Sequence, residues 1–146
     1  MMTAEKIRLE PLMDDYSKEW WDAAAERKLL IQRSPSSGEV FFYPRWLTPG
    51  TLAERPEWVE ASGRGTIYTF SVVNFNANPE FREDCPYVFA IVKLEEGPHM
   101  TTRIVDIDPD EVRCDMPVEV DFRSLGGETI FPVFRPARSG AAVEGA

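Results

Sequence analysis

The stretch Met100–Phe122, MTTRIVDIDPDEVRCDMPVEVDF, carries the main indication of the fold class. It opens with a β-branched run over 100–107 and closes with the alternating run 118–122, which predicts a strand with one face in water. Between them, 108–111 reads Asp-Pro-Asp-Glu, an N-cap residue followed by proline and then glutamate, and so predicts a single helical turn. Short strands that flank one small helical insert are typical of an OB-type Greek-key barrel.

Further β-branched and aromatic runs lie on both sides of this stretch. They are bounded by Gly, Pro and Asp residues, and they cover 58–62, 66–73, 87–94 and 129–134. Gly126-Gly127 predicts a hairpin between the last two strands. We therefore predict a mainly β protein whose five-stranded OB-fold barrel occupies residues 58–136, in preference to a sandwich.

The chain before the barrel predicts a helix and a small hairpin module. Over 14–27, apolar residues recur at helical spacing, with acidic residues at the start and basic residues at the end. Short strands follow around the turn Ser34-Pro35-Ser36-Ser37-Gly38, and the proline-containing stretch 44–56 has no clear period. We expect an extension over 1–15, the helix and hairpin module over 16–57, and a disordered tail over 137–146.

Composition restricts the classes of function. The chain has 146 residues and a formal net charge of -9, which disfavours binding to the phosphate backbone of nucleic acids. Two cysteines and one histidine are too few for a disulfide framework or a structural zinc site. Without a signal peptide or an apolar run of ~20 residues, the sequence predicts a cytoplasmic protein that does not enter a membrane.

Few residues are candidates for catalysis. We interpret His99 as a solvated hairpin residue and Cys85 as a small packing residue, since neither has a basic neighbour at fixed spacing. The acidic residues of 106–111 are better explained by helix capping than by calcium binding, because the run lacks the central glycine of a calcium loop. Gly63-Arg64-Gly65 is interpreted as a bend between strands. No acid–base pair is apparent, so we do not expect this chain to be an enzyme on its own.

The first third of the chain holds more aromatic residues than so small a region can bury alone. A local core takes some of them, and an exposed patch for a partner protein takes the rest. The residues concerned are Trp20, Trp21, Phe41, Phe42, Tyr43, Trp46 and Trp58.

Several short motifs are collectively specific. They are Trp20-Trp21-Asp22-Ala23-Ala24-Ala25, Leu29-Leu30-Ile31-Gln32-Arg33, Phe42-Tyr43-Pro44-Arg45, Gly63-Arg64-Gly65-Thr66-Ile67-Tyr68, Pro86-Tyr87-Val88-Phe89-Ala90, Cys114-Asp115-Met116-Pro117-Val118-Glu119-Val120 and Phe134-Arg135-Pro136. Together they resemble the acyl-CoA-associated OB-fold family with a rubredoxin-like zinc ribbon, over about residues 16–137.

The resemblance implies a non-catalytic accessory subunit. Members of that family accompany thiolases, acyltransferases of the thiolase superfamily and steroid side-chain aldolases, and some are fused to an acyl-CoA hydratase. The helix and ribbon are implied to dock on a thiolase-like subunit and to help hold CoA. For this chain we expect a hetero-oligomer in which CoA contacts Arg33 and Arg45. The expected partner contacts are Trp20, Trp21, Phe42 and Trp46.

Two other functions remain as alternatives at this stage. An OB domain that binds single-stranded nucleic acid would need a basic groove, which a chain of this net charge is not expected to offer. A stand-alone thioesterase or hydratase would need an acid–base pair. A hydratase could also be the partner enzyme in place of a thiolase.

The resemblance fails at the metal ligands. Where the family ribbon has four cysteines, this chain has Ser34, Ser37, Thr48 and Thr51. Neutral hydroxyl groups do not replace four thiolates around Zn²⁺. We therefore expect no metal cofactor and a degenerate ribbon held by its own apolar residues, with the CoA thioester as a ligand shared with the partner.

Overall fold

The computed structural model describes residues 10–138, which form a short helix, a three-stranded sheet and a closed five-stranded barrel. The elements in chain order are α1 (Lys18–Ala25), β1 (Leu30–Arg33), β2 (Val40–Phe41), β3 (Glu57–Glu60), β4 (Arg64–Val73), α2 (Pro79–Arg82), β5 (Tyr87–Leu94), β6 (His99–Ile104), a 3₁₀ turn (Pro109–Glu111), β7 (Pro117–Ser124) and β8 (Ile130–Pro136).

The barrel has the strand order β4-β5-β6-β8-β7 and closes through antiparallel pairing of β4 with β7. Its one parallel contact joins β6 to β8 through Ile104 and Phe134. The 3₁₀ turn lies between β6 and β7, and Asp108 caps it by accepting a hydrogen bond from the backbone N–H of Asp110 at 2.9 Å. This is the OB-fold arrangement, so both the predicted barrel and the capping role of the acidic run are confirmed.

Alternation along the strands separates the core from the outer surface. In β5 the side chains of Val88, Ala90, Val92 and Leu94 are buried, whereas Phe89 between them is exposed. Successive side chains of a strand point to opposite faces. One set of β5 side chains therefore points into the barrel, and the other set points outward. The outer set of β5 and β6 forms the surface on which the candidate site is built.

The small sheet has the order β2-β1-β3. Strand β3 pairs with β1 along its length, from Leu30 opposite Glu60 to Arg33 opposite Glu57. The strand predicted over 58–62 therefore belongs to the small sheet, and the predicted boundary between residues 57 and 58 falls inside β3. The run over 58–62 has ordinary strand composition, and local pattern does not specify a strand's partner.

Two elements differ in length or kind from the sequence prediction. The helix predicted over 14–27 is regular only over Lys18–Ala25 and ends with Arg27 in the left-handed region at a φ of 65°. The segment 74–86, interpreted as a long loop, contains α2, which is capped by Asn78. Four residues are too few for hydrophobic periodicity to reveal a helix.

Gly63 and Gly65 sit at a close approach between strands, as the predicted bend requires. Gly63 has a φ of +82°, and a Cβ there would lie 2.6 Å from Val120 Cγ1. A Cβ on Gly65 would lie 2.5 Å from the carbonyl oxygen of Lys93. Only glycine avoids both contacts.

No helix within residues 10–138 is both long enough and apolar enough to cross a membrane. Most of the predicted extension and of the predicted tail lies outside the described residues.

Candidate functional site

A large cleft of about 550 Å³ lies on the outer face of β5 and β6. It is bounded by α1, by the segment that follows β2, by the loop between β4 and β5 and by the ends of β7 and β8. Its lining residues are Ser17, Trp20, Trp21, Phe42, Tyr43, Pro44, Asn76, Phe81, Tyr87, Phe89, Met100, Thr101, Thr102, Arg103, Leu125, Phe131, Pro132 and Val133.

Aromatic rings from three parts of the chain form one wall of this cleft. The Trp20 and Trp21 rings meet edge to face with centroids 4.7 Å apart, and the Trp20 ring lies 5.7 Å from that of Phe42. The Trp21 ring also packs edge to face on Phe131 of β8, at 5.5 Å. These contacts fix α1 against the barrel and leave an apolar groove beside it.

The predicted partner-binding residues are exposed to different degrees. Trp20 is only 7% exposed and belongs to the core. Trp21 and Phe42 are half-buried on the cleft wall, whereas Trp46 is 51% exposed. Tyr43 is exposed as well, and its hydroxyl group lies 3.0 Å from Thr101 Oγ1. Burial of Trp20 therefore removes it as an exposed anchor, because α1 turns its indole towards the barrel.

Arg103 is the only charged side chain among the described residues that line this cleft. Its Nη1 donates to Asp84 Oδ2 at 3.1 Å, and its guanidinium lies 4.0 Å from the centroid of the Tyr87 ring. Asn76 Nδ2 in turn donates to the Tyr87 hydroxyl at 3.1 Å. Arg103 was not among the arginines predicted to bind CoA. Sequence pattern gave no signal for it, because its place opposite Phe89 depends on the pairing of β5 with β6.

A second cleft of about 410 Å³ adjoins the first. The two clefts share Phe81, Arg103, Leu125 and Phe131, so Arg103 lies where they meet. Glu10 lines the smaller cleft, and its carboxylate accepts hydrogen bonds from the backbone N–H groups of residues 128 and 129 at 2.9 and 3.3 Å.

Glu54 contacts two of the four ribbon positions that carry hydroxyls, Ser34 through its carboxylate and Thr48 through its backbone carbonyl. The Ser34 hydroxyl donates to Glu54 Oε1 at 2.8 Å, and the Ser36 N–H donates to the same oxygen at 3.2 Å. Ser34 also accepts from the Ser37 N–H, while the Thr48 N–H donates to the Glu54 carbonyl at 2.7 Å. The Ser36 and Ser34 hydrogen bonds hold the pKa of Glu54 below its usual value. No group of three or more His, Cys, Asp or Glu residues within 10–138 is arranged to hold a metal ion.

The two arginines predicted to bind CoA have different surroundings. Arg33 Nε donates to Glu57 Oε1 at 2.7 Å, so its charge is partly neutralised. Arg45 is held through its backbone, which exchanges two hydrogen bonds with the Gln32 side chain, and its own side chain is exposed. It lines a cleft of about 180 Å³ together with Asp15, Tyr16, Glu19, Gln32, Trp46, Arg55, Pro56 and Trp58. The sequence analysis missed Arg55, which stacks on Trp46 at 4.4 Å.

The residues first considered for catalysis lie apart from these clefts or serve in packing. His99 is exposed at the start of β6, and its ring stacks on that of Tyr68 at 4.6 Å. Cys85 is half-buried, with Sγ 3.7 Å from the Phe81 carbonyl oxygen, and Cys114 is exposed.

Comparison with known proteins places this arrangement in a family. The family model described as "ChsH2, C-terminal OB-fold domain" matches residues 58–123. A DUF35 domain-containing scaffold protein of Methanocaldococcus jannaschii is 39% identical over 107 residues, or 72% of this chain and 75% of that protein. A scaffold protein of the same name from Methanothermobacter thermautotrophicus is 35% identical over 118 residues, which cover 80% and 88% of the two chains. The chain belongs to the DUF35 family.

A solved structure and a longer relative extend the comparison. One chain of the structure described as "Ltp2-ChsH2(DUF35) aldolase" superposes on this DUF35 protein with a TM-score of 0.78 and 34% identity, covering 87% of this chain and 98% of the other. A probable enoyl-CoA hydratase alpha subunit of Thermomonospora curvata is 34% identical over 131 residues. The match covers 90% of the DUF35 chain described here but only 40% of that subunit.

Proposed function

We propose that this protein is a non-catalytic accessory subunit of an enzyme that acts on acyl-CoA, and that its partner is a thiolase-like subunit. The observation that carries the proposal is the match to nearly the whole of the ChsH2(DUF35) chain in a structure described as an aldolase. The name of the archaeal relatives, scaffold proteins, agrees with a supporting role.

The chemistry of the described residues supports a role without catalysis. A self-contained enzyme needs a nucleophile or base that another group orients. Within 10–138, His99 stacks on Tyr68 and the Cys85 sulfur contacts a backbone carbonyl, and neither lines the large cleft. We infer that the reacting groups belong to the partner.

The docking surface that we propose centres on the degenerate ribbon, defined here as residues 30–60. Trp46 is its exposed tryptophan, with Arg55 stacked on the ring, and Tyr43 is exposed nearby in sequence. Tryptophan and arginine are the residue types most enriched among those that dominate binding energy at interfaces. Trp21 and Phe42, half-buried at the adjoining cleft, would extend the surface towards the barrel.

The CoA contact that we propose belongs to the same region. Arg45 and Arg55 supply two guanidinium groups beside aromatic rings, an arrangement suited to phosphate and to a nucleobase. Asp15 and Glu19 also line this small cleft, so the phosphate group would have to approach from the arginine side. Arg33 is the weaker of the two original candidates, because Glu57 already pairs with it.

Co-expression with a thiolase-like subunit tests the proposal. We expect the two to co-elute in size-exclusion chromatography, and acyl-CoA turnover to require both. Trp46→Ala should weaken the complex by about thirtyfold, because truncating a central aromatic anchor costs about 2 kcal/mol. Tyr68→Ala, which removes an aromatic ring of similar exposure from the barrel, is the matched control.

A failure to co-elute would contradict the proposed partner. Equal affinities of Trp46→Ala and Tyr68→Ala for the partner would show that Trp46 is not at the interface. A hydratase subunit serves as the second arm, because the Thermomonospora curvata relative and a 3-oxo-4,17-pregnadiene-20-carboxyl-CoA hydratase alpha subunit of Mycobacterium tuberculosis carry regions similar to this chain. Binding to the hydratase alone would favour that enzyme as the partner.

A further inference from the structure

We propose that the large cleft on β5 and β6 binds the hydrocarbon part of an acyl thioester. The identity of the ligand rests on the proposed function, whereas the site itself rests on the geometry of this chain alone. The cleft is formed by the barrel, α1 and the segment after β2, so it needs no partner residue to exist.

The position and size of the cleft are those of a ligand site. In OB folds the face of the second and third strands, with the loops between strands 1 and 2 and between strands 4 and 5, is the surface that binds oligonucleotides and oligosaccharides. Here those elements are β5, β6, the loop with Phe81 and the turn with Leu125, and all of them line the cleft. A volume of about 550 Å³ lies within the range typical of small-molecule sites.

The lining favours an apolar ligand with a single polar group. Eleven of the described lining residues are Trp, Phe, Tyr, Leu, Met or Val, and Arg103 is the one charged residue in the lining. Arg103 pairs with Asp84 and stacks on Tyr87. The carboxylate balances its charge, and its other N–H groups lie in aromatic surroundings. A chain of phosphates would need several free cations, so the cleft suits an acyl group with one carbonyl rather than a nucleic acid.

A buried donor at the cleft wall also lacks an acceptor. The Trp20 indole N–H is buried and has no hydrogen-bond partner within the described part of the chain. Buried donors are nearly always paired, because an unpaired one loses its hydrogen bond to water without compensation. Trp20 lines the cleft, so an acyl carbonyl oxygen seated against its ring is a candidate acceptor for this N–H.

The shape of the site favours an elongated ligand. The smaller cleft continues the larger one past Phe81, Arg103, Leu125 and Phe131. An extended hydrocarbon could therefore lie along β5 and β6 and reach beyond Arg103. Part of the floor of the larger cleft is apolar, because it is formed by Met100 and Val133, which are buried core residues.

Calorimetric titration of the purified full chain with CoA, hexanoyl-CoA and decanoyl-CoA tests the inference. Each fully buried methylene raises affinity by about fourfold, so we expect decanoyl-CoA to bind at least about tenfold more tightly than hexanoyl-CoA. Binding should also show a negative heat-capacity change, the signature of apolar burial. CoA alone should bind more weakly than both thioesters.

A variant in which a larger side chain fills the cleft should lose this binding. Thr101 is an exposed residue of β6 that lines the cleft, and Thr101→Trp should raise the dissociation constant for decanoyl-CoA by at least about tenfold. Thr69→Trp places the same ring at an exposed position of β4, outside the cleft lining, and should leave the constant unchanged. Thr101→Phe is the second filling variant, to be used if circular dichroism shows that Thr101→Trp does not fold.

Three results would overturn the inference. One is equal affinity for CoA and decanoyl-CoA, and another is equal loss of binding in Thr101→Trp and Thr69→Trp. The third is an isolated chain that binds no thioester although it co-elutes with its partner. That result would indicate that the cleft binds side chains of the partner protein, and it would leave the proposed function intact. If the chain fails to co-elute with the partner but binds thioesters normally, the proposed function is contradicted and the inference about the cleft stands.

Discussion

At the scale of single residues, Asp121 connects the N-terminal helix to the barrel. Its Oδ1 accepts from Arg27 Nη2 and its Oδ2 from Arg123 Nε, both at 2.8 Å, and its side chain is only 10% exposed. Burial raises the pKa of Asp121, but the Arg123 and Arg27 hydrogen bonds outweigh it and lower the pKa to about 2. The contact also explains why an arginine occupies the left-handed position after α1, where a non-glycine residue costs about 1 kcal/mol.

We predict that Asp121→Asn lowers the free energy of unfolding by about 2–3 kcal/mol near neutral pH. Because the folded pKa lies below the unfolded value of about 3.9, the contribution is complete above pH ~4 and is lost as pH falls towards 2. Denaturant unfolding at several pH values measures both effects. Asp22→Asn, which breaks the exposed Lys18–Asp22 pair, is the control and should have a much smaller effect.

A variant as stable as the wild type, or one that retains the wild-type pH dependence between 4 and 2, would contradict this role of Asp121.

At the scale of elements, hydrogen bonds to Glu54 and Gln32 join the turns of the degenerate ribbon. Glu54 accepts from the Ser34 hydroxyl and the Ser36 N–H, and its backbone carbonyl accepts from the Thr48 N–H, so one residue joins the two turns that the family ribbon joins through zinc. Gln32 adds a second link, from β1 to the backbone of Arg45. The apolar contacts of β1 and β3 hold the base of the same module.

We predict that Glu54→Gln loosens the ribbon and leaves the barrel unchanged, because a neutral amide oxygen is a weaker acceptor than a carboxylate. Hydrogen exchange should show lost protection at the amide of Ser36, whose N–H donates to the Glu54 carboxylate. Since the pKa of Glu54 is lowered in the folded state, the wild-type protection should be complete above the ordinary glutamate pKa and fall as pH drops below it.

Glu39→Gln is the control, because it retains the backbone bond from the Ser34 N–H to the Glu39 carbonyl. Equal protection in the two variants would show that the Glu54 carboxylate does not hold the turns.

At the scale of the whole molecule, the distribution of charge matters more than its sum. The chain carries a net charge of -9, yet Arg45 and Arg55 meet at one small cleft on the ribbon. Most other described arginines pair with carboxylates, as Arg64 does with Glu95 and Arg135 with Glu119. An anionic ligand shared with a partner would therefore meet its cations on the ribbon.

We predict that Arg45→Ala, in the assembled complex, raises the Michaelis constant for the acyl-CoA several-fold and leaves the stability of the complex nearly unchanged. The reason is the loss of a charge-assisted hydrogen bond to phosphate, whereas Trp46 and not Arg45 is the proposed anchor of the docking surface. Steady-state kinetics at two salt concentrations measure it, since the wild-type advantage should shrink at high salt.

Arg113→Ala removes an exposed arginine from the barrel and serves as the matched control. Kinetics that are identical for Arg45→Ala and the wild type would assign CoA binding to the partner alone.

The sequence by itself determined the elements that depend on local pattern. Alternation over 118–122, the capped turn at 108–111 and the β-branched runs predicted the OB barrel, and the structure confirms the barrel because strand and cap signals act within a few residues. The predicted water-exposed face of 118–122 is wrong at Asp121, which is buried in ion pairs with Arg27 and Arg123. The exposure of Trp46 likewise agrees with the prediction that the first third holds more aromatic residues than it can bury.

Only the tertiary structure decided which residues meet. Trp20, Phe81 and Arg103 line one cleft although more than 80 residues separate the first from the last, and periodicity says which face is buried but not what lies opposite it. For the same reason the sequence did not show that β3 pairs with β1, that Glu57 neutralises Arg33 or that Glu54 stands between the former zinc turns. Each of these contacts joins residues that are distant in the sequence and that only the path of the folded chain brings close.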